Sequence, residues 1–177
     1  FILNFNFNVQ ACFIIIFLSS IINLTSSAYF RTEKRLSAFK TFVFLVFDLT
    51  QISLLLFFSG GISNPFSILI IVPTIVSASS LPIIYLIILG VMTLISISFL
   101  SVKYFPIIDS SGDILKSPEI LLFGFSASLI ITVTFLGSYV RRIFLDNSKM
   151  NRALQATQVA LERERKLTAL TGVVAAL

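Results

Sequence analysis

Apolar residues fill the first 140 positions in long blocks, separated by short polar stretches. A helix that crosses a membrane needs about 20 apolar residues. The blocks run from about Val9 to Phe30, Phe39 to Phe58, Phe66 to Ser80, Pro82 to Tyr104 and Ile120 to Val140. The pattern predicts an all-α fold, a polytopic transmembrane helix bundle of about five spans. The third block is short, and Pro73 interrupts it. Proline removes one backbone hydrogen bond, so a kink is expected there. Ser79 to Leu81 is a tight, uncharged connection. The third and fourth blocks therefore read as two crossings, or as one broken hairpin that does not cross fully.

The pattern changes at Arg141. Residues 141–171 hold no proline and no glycine, and are rich in Ala, Leu, Arg, Glu and Gln. They read as one helix leaving the membrane. Two domains follow: a transmembrane region at 1–140 and a cytoplasmic helix at 141–177. Met150, Leu154, Thr157 and Leu161 fit one heptad frame. Ala153, Ala156, Ala160, Leu167, Leu170, Val174 and Leu177 fit a second. The frames change over near Glu162–Lys166, where a coiled coil would locally overwind or unwind. An amphipathic helix lying on the membrane is one reading. A parallel dimeric coiled coil is the other, and the narrow stripe of Leu167, Leu170, Val174 and Leu177 favours it as a dimer stalk.

Composition narrows the class. The chain is 56% hydrophobic and 12% charged, against about 25% charged in a soluble domain, and its mean hydropathy is +1.01. Cys12 stands alone, which excludes a disulfide within the chain and suits a small packed hydrophobe. There is no histidine, which argues against a bis-histidine haem, most zinc sites and histidine acid–base chemistry. No glycine-rich phosphate loop occurs. No catalytic residue and no metal site is predicted.

Charge gives the orientation. Of 13 Lys and Arg, those at 31–40 and beyond 140 lie on one side of the five blocks, and only Lys103 and Lys116 lie on the other. The positive-inside rule makes the first set cytoplasmic. Basic residues that flank spans speak for a bilayer partner rather than a nucleic acid. Five spans would place Phe1 outside, so a preceding span and a six-span parent are expected. The expected location is a bacterial inner membrane, multi-pass, with the C-terminus cytoplasmic.

Two stretches carry candidate chemistry. Asp48 lies near the middle of the second block, about 13 Å deep. An acid at that depth is costly and should face the bundle interior. Gln51, three residues on, shares its face, so the two can bond each other or a common partner. This polar site reads as a structural contact or as a proton- or ligand-linked site. The second stretch is Phe57-Phe58-Ser59-Gly60-Gly61-Ile62-Ser63-Asn64-Pro65-Phe66. Two glycines can take positive φ, and Pro65 can open a new helix. On the predicted topology this turn is at the outer surface. It reads as a tight re-entry with phenylalanines facing lipid, or as a holder for a flat amphipathic ligand.

The series Phe47-Asp48-Leu49-Thr50-Gln51 followed by Gly60-Gly61-Ile62-Ser63-Asn64-Pro65-Phe66 resembles the membrane domain of the RegB/PrrB family of redox-responding sensor histidine kinases. So does Ala156-Thr157-Gln158-Val159-Ala160-Leu161-Glu162-Arg163-Glu164-Arg165-Lys166-Leu167-Thr168, with Gly172-Val173-Val174-Ala175-Ala176 after it. The resemblance implies six transmembrane helices, one of them before residue 1. It implies quinone sensing, of ubiquinone or a relative, at Phe57, Phe58, Gly60, Gly61, Asn64, Pro65 and Phe66. It implies a homodimer, a phosphoacceptor histidine just beyond Leu177, ATP and Mg bound in a kinase domain further on, and a cognate response regulator. Cys12 does not match that family's redox cysteine. A transporter, or a quinone-handling membrane subunit working through Asp48, is the competing reading.

Overall fold

The computed structural model describes residues 9–29, 37–106 and 118–175, with side chains at 9–25, 37–106 and 118–166. Every regular element among the described residues is helical: α1 (Val9–Tyr29), α2 (Ala38–Phe58), a 3-10 turn (Gly61–Ser63), a 3-10 helix (Pro65–Ile71), α3 (Val72–Ser80), α4 (Ile83–Val102) and α5 (Glu119–Ala175). The chain divides into two units, Phe1–Ser138 and Tyr139–Leu177.

In the first unit, Ser37 caps α2, with extended backbone and a side chain that accepts from the Lys40 N–H. Phe42 of α2 stacks on Tyr85 of α4 at 4.8 Å. Phe57, at the other end of α2, stacks on Phe99 at 6.0 Å. The two helices therefore run parallel, and Pro65–Ser80 returns between their ends. Leu45, Leu49 and Leu56 meet Ile70, Ile71, Leu89, Ile97 and Leu100 in one buried cluster, which Leu129 and Val133 of α5 complete. Most large apolar side chains outside it are exposed. That arrangement suits a bundle whose solvent is lipid, where helices satisfy their own backbone.

Polar groups link the helices. Thr74 and Thr93 hydroxyls lie 2.8 Å apart and buried. Thr93 also donates to the Leu89 carbonyl at 2.9 Å. A hydroxyl has one hydrogen, so Thr74 donates to Thr93. The Ser19 hydroxyl of α1 donates to Gln51 Oε1 of α2.

Pro73 does not kink a continuous α-helix. It stands in the first turn of α3, where the 3-10 helix gives way. Without an N–H it cannot bond the Leu69 carbonyl, and the Val72 N–H takes that acceptor in the tighter pattern. The change lengthens the segment. Seven 3-10 residues and nine α residues rise about 27 Å, where sixteen α residues would rise about 24 Å. That approaches the ~30 Å of a hydrocarbon core.

By length and composition Ala38–Phe58, Ile83–Val102 and Glu119–Lys166 contain helices able to cross a membrane, and Val9–Thr25 and Pro65–Ser80 are shorter apolar helices. The expected blocks are all present, three at full spanning length.

In the second unit the helix continues to Ala175. Arg141 lies over the Phe144 ring at 5.9 Å, and Lys149 pairs with Asp146 at 3.6 Å. Met150, Leu154 and Leu161 are exposed. The side chains of Leu167, Leu170 and Val174, and the whole of Leu177, lie outside the described residues, as do residues 31–35 and 107–117.

Candidate functional site

The site grows from the end of α2. Gly60 has φ 102° and Gly61 has φ 62°, both left-handed. Two successive residues of that hand cost L side chains about 1–2 kcal/mol each. Gly61 has a second reason to be glycine: a Cβ there would stand 2.8 Å from Tyr104 Cβ and Cγ and 2.9 Å from the Leu100 carbonyl oxygen. The turn thus lies directly against the end of α4. The Phe105 N–H donates to the Phe57 carbonyl at 2.8 Å and ties the same two ends together.

Asn64 locks the turn. Its side-chain oxygen accepts from the Phe66 N–H at 2.9 Å and caps the 3-10 helix. Its amide nitrogen donates to the Ser59 carbonyl at 3.0 Å and to Ser59 Oγ at 2.7 Å. Both amide hydrogens are thereby engaged. Ser63 Oγ is buried with no partner among the described residues.

Beside the turn is an aromatic cluster. Phe57 meets Phe58 at 5.3 Å and Phe105 at 5.5 Å, both edge-on, and Phe58 stacks on Phe105 at 5.4 Å. Phe57, Phe99, Lys103, Tyr104, Phe105 and Pro106 line a cleft of about 340 Å³. Phe57 and Phe99 also close one end of a groove of about 430 Å³ between α2 and α4, which continues past Ser53, Ser96 and Met92 to Leu49. The volumes are those of small-molecule sites.

The predicted residues divide. Phe57 lines both cavities, and Phe58 backs the cluster. Gly60 and Gly61 are buried, and Gly61 lies against Tyr104. Asn64 braces the turn from within. Pro65 is exposed, Phe66 is 67% exposed, and neither lines the two cavities. Asp48 and Gln51 line neither cavity. Gln51 bonds Ser19 rather than Asp48, and no described residue bonds the Asp48 carboxylate. Phe99, Lys103, Tyr104, Phe105 and Pro106 are absent from the sequence-derived site. A cation and aromatic residues at the end of a span are the signature of an interfacial anchor, the one sequence signal these positions carry.

Fold and site together define a multi-pass membrane protein with a ligand-sized aromatic cleft at one end of its bundle. Residues 2–85 match the PilS-like transmembrane domain family. The chain is 41% identical over 165 residues to the sensor histidine kinase RegB of Cereibacter sphaeroides, which covers 93% of this chain and 36% of that kinase. Another RegB of Cereibacter sphaeroides is 44% identical over 80 residues, 45% of this chain and 17% of that protein. No solved structure matches. The chain is similar over most of its length to the RegB sensor histidine kinase, carries a PilS-like transmembrane domain, and spans little more than a third of the first kinase's length.

Proposed function

We propose that the chain is the sensor region of a two-component histidine kinase that follows redox state by binding a quinone, ubiquinone or a relative, in the cleft beside the Gly60–Phe66 turn. Binding controls autophosphorylation of a histidine elsewhere in the protein, where ATP and Mg act, and so the phosphate passed to a response regulator. The turn faces the outside of a bacterial inner membrane, and the helix from 141 onward is cytoplasmic and pairs with a second copy. The single observation that carries this reading is the cleft itself: aromatic rings for a flat ligand, at the bundle end built by the glycine turn. The exposed Met150, Leu154 and Leu161 support pairing in the second unit. Ligand binding can shift the bundle only by its differential affinity for two states.

The test is quinone titration of autophosphorylation in the full-length protein, reconstituted in lipid. Phe57→Ala should abolish most of the response, and Phe66→Ala should retain it. A Phe57→Ala protein that is folded and responds like the parent would overturn the reading. In the transporter reading, Asp48→Asn would instead be the damaging change.

A further inference from the structure

Helix α5 keeps its positive charge close to the end of its apolar block. Residues 141–152 hold four cations, Arg141, Arg142, Lys149 and Arg152, against one anion, Asp146. The next nine residues carry no charge, and Glu162–Lys166 mixes both signs. Arg142, Lys149 and Arg152 are exposed. Lys149 pairs with Asp146 at 3.6 Å, but the two side chains are 78% and 61% exposed. A pair so open to solvent is worth little and does not withhold the ammonium from another anion. At 3.6 residues per turn, the four cations centre about 150° around the helix from Met150, Leu154 and Leu161. Pairing through that apolar stripe leaves the basic face open.

Ile143, Phe144 and Leu145 lie between the cations, all exposed, and Arg141 lies over the Phe144 ring at 5.9 Å. Leu145 is about 8 Å beyond Val140 along the helix, which is about the depth of a headgroup layer. Cations and apolar side chains interleaved over that depth suit a helix passing through headgroups. Every Cα–Cβ bond of a helix tilts toward its N-terminus. For α5 the N-terminus is the membrane side, so the side chains of Lys149 and Arg152 set out back toward the bilayer.

We infer that the face of Arg142, Lys149 and Arg152, with Arg141 at its edge, binds the phosphate headgroups of anionic phospholipids in the leaflet that α5 leaves. Charge and position together name the occupant. A phosphodiester supplies the negative charge that one aspartate cannot, and the bilayer presents it at the level where the cations stand. Each Lys or Arg near an anionic surface strengthens attachment about fivefold, over a reach of about 8 Å in physiological salt. The lipid holds the first turns of the second unit to the membrane surface while the apolar stripe stays available to a second copy. None of this requires that the chain bind a quinone.

The test reconstitutes the full-length protein in bilayers that mix phosphatidylglycerol with phosphatidylcholine. Each lipid in turn carries a photoactivatable headgroup, and adducts are mapped by peptide. In the parent, the peptide covering 139–153 should be labelled by phosphatidylglycerol in preference to phosphatidylcholine. Lys149→Gln with Arg152→Gln leaves Arg141 and Arg142 to orient the span, and should lower that preference by up to about fivefold per cation. Asp146→Asn should raise it, and about 1 M salt should remove most of it. Arg163→Gln with Arg165→Gln, further along the same helix, should leave it unchanged. All these positions are exposed, so the unfolding temperature of each variant should match the parent. Equal labelling by the two lipids in the parent, or no adduct in that peptide, would overturn the inference. So would a preference that survives Lys149→Gln with Arg152→Gln. If Arg163→Gln with Arg165→Gln lowers the preference as much, charge anywhere on the helix suffices and the assignment to this face fails. If inorganic phosphate at constant ionic strength abolishes the labelling, the face is a site for free phosphate and the lipid assignment fails.

Discussion

Helix α2 carries two polar levels, and the bundle treats them oppositely. At its end, the Asn64 amide nitrogen donates to the Ser59 carbonyl and hydroxyl and its oxygen accepts from the Phe66 N–H, so every polar atom of that side chain is bonded. Near its middle, Gln51 bonds Ser19 and leaves Asp48 with no hydrogen bond from a described residue. The difference is the third partner. At the turn, the chain folds back on itself and brings its own partner within reach. At the middle, the partner comes from another helix, and α1 offers one hydroxyl to the glutamine. An acid in a span marks a cost, but the specific architecture is at the end.

The comparison can be broken by substitution, beginning with Gly61. Gly61→Ala adds a Cβ 2.8 Å from Tyr104 Cβ and 2.9 Å from a backbone oxygen, at a left-handed residue. Strain and overpacking together should cost about 2–4 kcal/mol, read as a large fall in unfolding temperature in detergent. An unchanged temperature would mean that Tyr104 does not press on the turn. Asn64→Ala should come next, at about 1–3 kcal/mol, since it removes the cap and both bonds to Ser59. Loss of quinone response in that variant should track loss of the fold, because Asn64 serves the turn rather than the ligand.

A third change probes the helix contacts at mid-bundle. Thr93→Val leaves the Thr74 hydroxyl buried without its acceptor and should cost about 1 kcal/mol. Replacing both threonines by valine should cost less than the sum of the single changes, as measured in a double-mutant cycle. The smallest effect is expected for Asp48→Asn, within about 0.5 kcal/mol, because no described hydrogen bond is lost. If Asp48→Asn is more damaging than Asn64→Ala, in stability or in quinone response, the ranking of the two levels is reversed.

Much of the fold was legible because lipid makes the signal simple. Blocks of apolar residues marked every helix, and Gly60, Gly61 and Pro65 marked the turn by backbone chemistry alone. The 3-10 form of Pro65–Ile71 was not legible: Pro73 announces a lost bond, while the way the chain replaces it depends on the length available between α2 and α4. The site was half legible. Phe57 and Phe58 were found by their place beside the turn. Lys103 to Pro106 were not, since their role comes from the packing of Tyr104 on Gly61, a contact between distant positions. The Asp48–Gln51 spacing suggested a partnership, yet Ser19 of another helix took the glutamine.

The central claim is that a redox-active ring sits between the ends of α2 and α4, with the glycine turn as its support. Photolabelling of the full-length protein in nanodiscs with an azido-substituted quinone, followed by peptide mapping, tests it most directly. The account predicts adducts within residues 50–58 and 95–106, competed away by unlabelled quinone. Competable adducts confined to residues 64–66, or to the level of Ser19 and Asp48, would contradict it.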